Sequence, residues 1–365
     1  AIQVERGVPL AFAGKRSVTL QPGASMLSDP VDFEVEALAN LAVTTAFGGT
    51  PPSAITGHPG SRTTSFLQPG SDVAAADMSS ATPVEHWYFL NQVDVFTDAR
   101  ARAVVVIGDS ITDGRGSTTN ENDRWPNRLA RRLLADPTTA RVSVLNQGIG
   151  GNRVLRDGLG PHLLARLERD VLAIPRVRWL ILFEGINDIG TALGARAAGQ
   201  PAATADDLIA AYRQVIVRSR DHGIRVTIGT DGAGSNNNLD MIEEVTLASF
   251  LAKGIHHDPI LFSTHELLTF ATRNGALAQG REDTGLLEEG YRADLAVVDM
   301  STLKFQPIYD YGTSLFTNAN ASDVVLTMVD GKVLYKDGEF TTIDLEKVIW
   351  NVYRIRDEKL ALLAQ

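Results

Sequence analysis

The 365-residue sequence contains no cysteine, which excludes disulfides, a cysteine nucleophile and thiolate ligation of a metal. It has no run of about 18 apolar residues, so no helix is expected to span a membrane. No charged-then-apolar leader follows Ala1, and no signal peptide is expected within this chain. Basic residues are the minority, with 34 Lys and Arg against 44 Asp and Glu and a net charge of -10. That balance argues against nucleic acid or an anionic membrane surface as the main partner. Phosphate-binding loops are lacking too. Gly148–Asn152 is glycine-rich, but no Lys-Ser/Thr follows and its spacing is not that of a dinucleotide fingerprint, so no cofactor is expected.

What is present is enough to fold. Apolar residues make up 44% and charged residues 21% of the sequence, and its length suits two or three domains. Charge is unevenly placed. Residues 1–228 carry 23 basic and 23 acidic side chains, whereas residues 229–365 carry 11 and 21 and so hold the whole net charge. The basic residues before position 229 are 22 arginines and Lys15; after it, five arginines and six lysines. So sharp a step points to segments of different origin, and we divide the chain into 1–100, 101–228 and 229–365.

The first hundred residues show short β-like runs (Ser17–Leu20, Val31–Val35, Leu41–Phe47, Trp87–Val95) between turn signals such as Gln21-Pro22-Gly23. This pattern predicts a β-sandwich. His58 and His86 lie here without a partner at metal-ligand spacing, and they read as surface or hydrogen-bonded histidines. From Ala103 the pattern becomes strand, loop, helix. Strands are expected at Val104–Ile107, Val142–Leu145, Trp179–Phe183 and Ile224–Ile228, with helices at Trp125–Leu134, Leu163–Leu172 and Thr204–His222. Such alternation predicts a parallel sheet covered by helices, with ligands bound beyond the carboxyl ends of the strands. Ser110, in a Gly- and Asp-rich turn after the first strand, reads as a nucleophile or as a loop serine. Gly151 lies in a loop where backbone N–H groups can face a ligand, and Asn187 offers a side-chain donor. Together they suit acyl transfer from an ester, which needs a nucleophile and oxyanion donors.

Gly108-Asp109-Ser110, the loop ending in Gly151-Asn152, and Gly185-Ile186-Asn187-Asp188 resemble the first three blocks of the SGNH (GDSL) hydrolase family over roughly residues 100–228. The resemblance implies a flavodoxin-like, three-layer α/β/α fold and a serine ester hydrolase acting on short acyl or acetyl esters. Ser110 would be the nucleophile, and the N–H groups of Ser110 and Gly151 with the Asn187 amide would form the oxyanion hole. Asp109 would support the turn. The segment before it is similar to the N-terminal domain of some secreted members. The family's last block, Asp-x-x-His, is missing, because none of the seven histidines has Asp three residues before it.

Instead, Gly229–Met241, Ala271-Thr272-Arg273-Asn274-Gly275-Ala276, Gly285–Gly290, Ala293-Asp294-Leu295 and Val329–Val333 resemble the C-terminal part of amidohydrolase-superfamily deaminases acting on thioadenosine or S-adenosylhomocysteine-type substrates, up to about residue 350. There, Asp231 would end the last barrel strand and assist a metal-bound water. The chain has no His-x-His pair, and one strand with its tail cannot make a barrel, so no metal site is expected. The chain thus reads as the front of one hydrolase joined to the back of another. Its tail is an α+β segment foreign to the first family, with a hairpin around Asp330-Gly331. Leu295–Val298 is expected to complete the parallel sheet as a fifth strand. With the family's histidine gone, His256 and His257, beside Asp258, are the candidates to activate Ser110, or else they are plain linker histidines. The expected partner is a small ester, with the tail as a candidate surface for a homo-oligomer. The alternatives are a hydrolase-derived scaffold that binds or assembles, and a metal-dependent deaminase.

Overall fold

The structure, a computed structural model, describes the chain apart from residues 1–6, 50–54, 56, 59, 76–77, 200, 225–226, 231–237 and 364–365. It has mixed α/β content. In the first hundred residues the described strands are short and form two antiparallel pairs. β1 (Gly57–His58) pairs with β4 (Trp87–Tyr88), and β2 (Ser65–Leu67) pairs with β3 (Thr82–Val84). The expected β-sandwich is corrected here. Val31, Val35, Leu41, Val43 and Phe47 lie outside strands and are 38–56% exposed. A sandwich strand must bury one of its two alternating faces, and these runs bury neither.

The organising sheet comes next. β5 (Arg102–Gly108) runs parallel to both β6 (Val142–Gly148) and β7 (Val177–Phe183), in the order β6-β5-β7. Val104 lies opposite Val144 on one side and Trp179 on the other. Val105, Val106 and Ile107 are fully buried, as expected for a central strand covered on both faces. Short α1 (Ser110–Asp113) and amphipathic α2 (Trp125–Ala135) intervene between β5 and β6, and α2 has Pro126 in its first turn, where a missing N–H is harmless. α3 (Leu163–Leu167) continues as one π-turn through Leu172. After β7 come α4 (Ile186–Ala197) and α5 (Ala205–Asp221), the latter opened by a Thr204/Asp207 capping box. Val105 and Ile107 pack with Leu163, Leu167, Val171, Leu208 and Val215 in the main core.

A second core gathers Val245, Leu267 and Phe316 from α6 (Met241–His256), α7 (Thr264–Ala271) and α9 (Tyr311–Asn318), with α8 (Arg273–Ala278) following α7. Ile228 packs into this second core. Ile224, Thr227 and Ile228 carry no strand pairing, and residues 225–226 lie outside the described residues, so the described parallel sheet has three strands where four or five were expected. Leu295–Val298 is indeed a strand, β8, but it pairs antiparallel with β9 (Val324–Val329) in a separate sheet ordered β11-β10-β9-β8, with β10 (Lys332–Lys336) and β11 (Glu339–Phe340). A neighbouring antiparallel hairpin competes effectively with a distant parallel edge, because it closes shorter loops. Asp330 and Gly331, both at positive φ, turn β9 into β10. The helix α10 (Leu345–Leu363) ends the described chain. The flavodoxin-like three-layer arrangement is therefore not established, and only the coarser α/β class stands.

Gly108 is where β5 meets its turn, and a Cβ there would lie 2.4 Å from Thr112 Oγ1 and 2.6 Å from the Phe183 carbonyl oxygen. Gly108→Ala is expected to lower stability by about 1–3 kcal/mol through overpacking, read as a drop in the urea midpoint. An unchanged midpoint would show that the strand end has room to move.

Candidate functional site

The parallel strands deliver three loops to one edge of the sheet. Ser110 begins α1 directly after β5, Gly151 sits in the loop after β6 at φ +72°, and Asn187 is the second residue of α4 after β7. The structure thus brings these three sequence candidates to the same edge. Asp109 caps α1, accepting from the Ile111 N–H at 2.9 Å. The Asn187 side-chain amide donates to the Asn152 carbonyl at 2.9 Å, so it ties the loop down. Asp188 accepts from the N–H groups of Val154 (2.8 Å) and Leu155 (3.2 Å) and fixes the same loop from below.

The histidines fall elsewhere. His256 is the last residue of α6, and His257 is its exposed cap at φ +51°, with its N–H on the carbonyls of that helix. No hydrogen bond among the described residues joins His257 to the Ser110 turn, and the His256 side chain lies outside the described residues. The imidazole that does reach this turn is His58, from the N-terminal segment. Its Nε2 lies 2.5 Å from Asp113 Oδ1, and its ring packs 4.9 Å from that of Trp87. Asp113 is 95% shielded and also accepts from the Gly150 N–H at 2.9 Å. Sequence reasoning missed this pair, since 55 residues separate its members and neither spacing nor periodicity relates them. The Ser110 hydroxyl makes no hydrogen bond among the described residues.

Beneath the loops lies a buried charged network. Arg166 on α3 is 1% exposed. It donates to Asn152 Oδ1 from Nε (2.9 Å) and Nη2 (2.7 Å), to the Gln147 carbonyl (2.7 Å), and to Asp170 Oδ2 (3.2 Å). Glu184, at the end of β7, lies 3.7 Å from Arg166 with a fully buried side chain. Neither of its carboxyl oxygens has a hydrogen-bond partner. Burial pushes its pKa up to about 7, against the pull of Arg166 and with Asp109 and Asp188 raising it further.

The alternative of a metal-dependent deaminase implies a metal, and the donors among the described residues do not fit one. Among the described residues no group of three or more His, Asp or Glu side chains is placed to hold an ion, and Asp231 lies outside the described residues.

A carboxyl with a raised pKa holds its proton more tightly in the folded than in the unfolded chain. Its destabilising effect is absent below about pH 4, grows between there and about pH 7, and is complete above that. Wild-type stability should therefore fall from pH 5 to pH 8, and Glu184→Gln should be the more stable form at pH 8, by on the order of 3 kcal/mol. Urea titrations at both pH values check this. Parallel pH dependence of the two proteins would show that Glu184 ionises without penalty.

Residues 106–253 match the GDSL-like Lipase/Acylhydrolase family, and residues 191–334 match the Amidohydrolase family. The chain is similar to the 5-methylthioadenosine/S-adenosylhomocysteine deaminase of Moorella thermoacetica, at 47% identity over 127 residues, which is 34% of this chain and 30% of that protein. The corresponding deaminase of Dictyoglomus thermophilum is 42% identical over 130 residues, covering 36% of this chain and 30% of the relative. The chain thus spans about three-tenths of the length of these curated relatives. Among solved structures, a zinc-bound adenosine deaminase from Xanthomonas campestris aligns at 21% identity with a TM-score of 0.46, over 70% of this chain and 66% of its own. The expectation of a serine ester hydrolase is overturned by these relatives, whose named activity is deamination. The esterase, nucleophile and ester-substrate readings fall with it, and the matches to two hydrolase families remain. The two family matches lie one behind the other, GDSL-like in front and amidohydrolase behind, and overlap between residues 191 and 253.

Proposed function

We propose that this chain is an amidohydrolase-class hydrolase directed at a nucleoside-type small molecule, in which the residues present serve recognition of that molecule and not the metal chemistry. The observation that carries this reading is the 42–47% identity, over 127–130 residues, with deaminases named for 5-methylthioadenosine and S-adenosylhomocysteine. The division at 228/229 belongs to the same reading. It is supported by the step in charge there. The donor set of the described residues argues against self-sufficient turnover, because a catalytic zinc site needs about three protein ligands and an open position. Calorimetric titration with 5-methylthioadenosine and a deamination assay with added zinc test both halves. Saturable binding without zinc-dependent deamination is expected. Absence of binding would overturn the recognition half, and deamination restored by zinc would overturn the other.

A specific observation favours assembly as a second role. On α10, Leu345, Val348, Val352 and Ile355 are 45–60% exposed and follow the 3-4-3 spacing of a coiled-coil seam. A second copy of the same helix is the partner such a self-complementary stripe suits. Light scattering after gel filtration should give a dimer mass for the wild type and a monomer mass for Val352→Glu. A monomeric wild type would remove this role.

A further inference from the structure

A cavity of about 340 Å³ lies between the loop after β6, α4 and the segment leading into α5. It is lined by Arg153, Arg156, Asp188 and Thr191, with small residues such as Gly194 and Ala195 leaving its volume open. Of this lining only Asp188 belongs to a motif described above, and the arginines lie outside those motifs.

The two arginines give it a sign. Arg153 Nε is fully buried and has no hydrogen-bond partner, and Arg153 makes no ion pair among the described residues. The Arg153 guanidinium, on a half-buried side chain at the cavity wall, thus has no protein carboxylate to answer its charge. Arg156 is held over the cavity by donating from Nη1 to the Pro201 carbonyl, which leaves the rest of its guanidinium fork available. The acidic groups nearby are already engaged. Asp188 accepts the N–H groups of Val154 and Leu155, and Asp207 is bound to Thr204 in the cap of α5. Thr191 donates to the Asn187 carbonyl at 2.6 Å, and so holds α4 as one wall.

We propose that this cavity is a binding site for a small molecule carrying a terminal oxyanion, a phosphate or a carboxylate, gripped by Arg153 and Arg156. Guanidinium forks match both groups bidentately, and the volume falls within the range of small-ligand sites. In a chain of net charge -10, a local pair of arginines selects such an anion against the repulsion of the rest of the surface. The site stands on the cavity alone and does not depend on the deaminase reading.

Calorimetric titration of the full chain with inorganic phosphate and, separately, with succinate at low salt tests it. Saturable binding of at least one of them is expected. Phosphate preferred over succinate assigns a tetrahedral oxyanion, and the reverse a planar one. The Arg153→Gln/Arg156→Gln double variant should bind about tenfold or more weakly, a loss of about 1.4 kcal/mol. Ala195→Met fills the cavity from the α4 side without touching either arginine and should weaken binding as well. If the wild type binds neither anion up to about 10 mM, or if binding survives both the double variant and Ala195→Met, the site does not exist.

Discussion

The buried Arg166 guanidinium holds together the end of the sheet that carries the Ser110, Gly151 and Asn187 turns. From one helix position it reaches the β6 end at Gln147, the loop at Asn152, and the carboxyls of Asp170 and Glu184, with Gly108 of β5 3.4 Å away. Three parallel strands converge on a single cation. Charges buried in this way are a poor source of net stability, because removing them from water costs most of what their attraction returns. Their effect here is geometric. Three chain crossings that could slide independently are set at fixed heights, and with them the turns bearing Ser110, Gly151 and Asn187.

That network carries an internal tension. Arg166 faces two acidic groups, Asp170 and Glu184, and Glu184 lacks hydrogen bonds of its own. The carboxyl least well supported takes the proton near neutrality, while the loop above is kept in place by neutral contacts such as the Asn187 amide and by Asp188. The edge of the sheet is thus fixed by two tiers, one charged and buried, the other made of amide and backbone groups nearer the surface.

Much of this frame is legible in the sequence. Val104–Ile107 and Trp179–Phe183 are continuous apolar runs, which announce strands buried on both faces, and the loops after them are rich in Gly, Asn and Asp. The helices beginning at Trp125 and Thr204 declare themselves by periodicity and capping. Arg166 was not legible, because an arginine among leucines on a helix ordinarily marks the solvent face. Nor was the His58–Asp113 pair, since only the folded chain brings the first hundred residues onto the α1 turn. The β-sandwich was read from turn residues and β-formers, and these report local preference without revealing whether a face finds something to cover it. Leu295–Val298 is legible as a strand, but its partner β9 is not, for the same reason. Strand character is local, whereas pairing is decided by competition.

Trp179 sits on the junction between the two halves. Its ring belongs to β7, yet its indole N–H donates to the Leu277 carbonyl at 2.6 Å, and the Thr227 hydroxyl makes a similar bridge to Phe270 at 3.2 Å. The cores on either side are built from separate sets of side chains. Among the described residues the seam carries polar stitches between two separate apolar clusters, so the interior of each half is packed by its own side chains. Sequence drift in one can then proceed without compensation in the other. Such loose tailoring allows segments of two hydrolase lineages to share one polypeptide without first having to evolve a common interior.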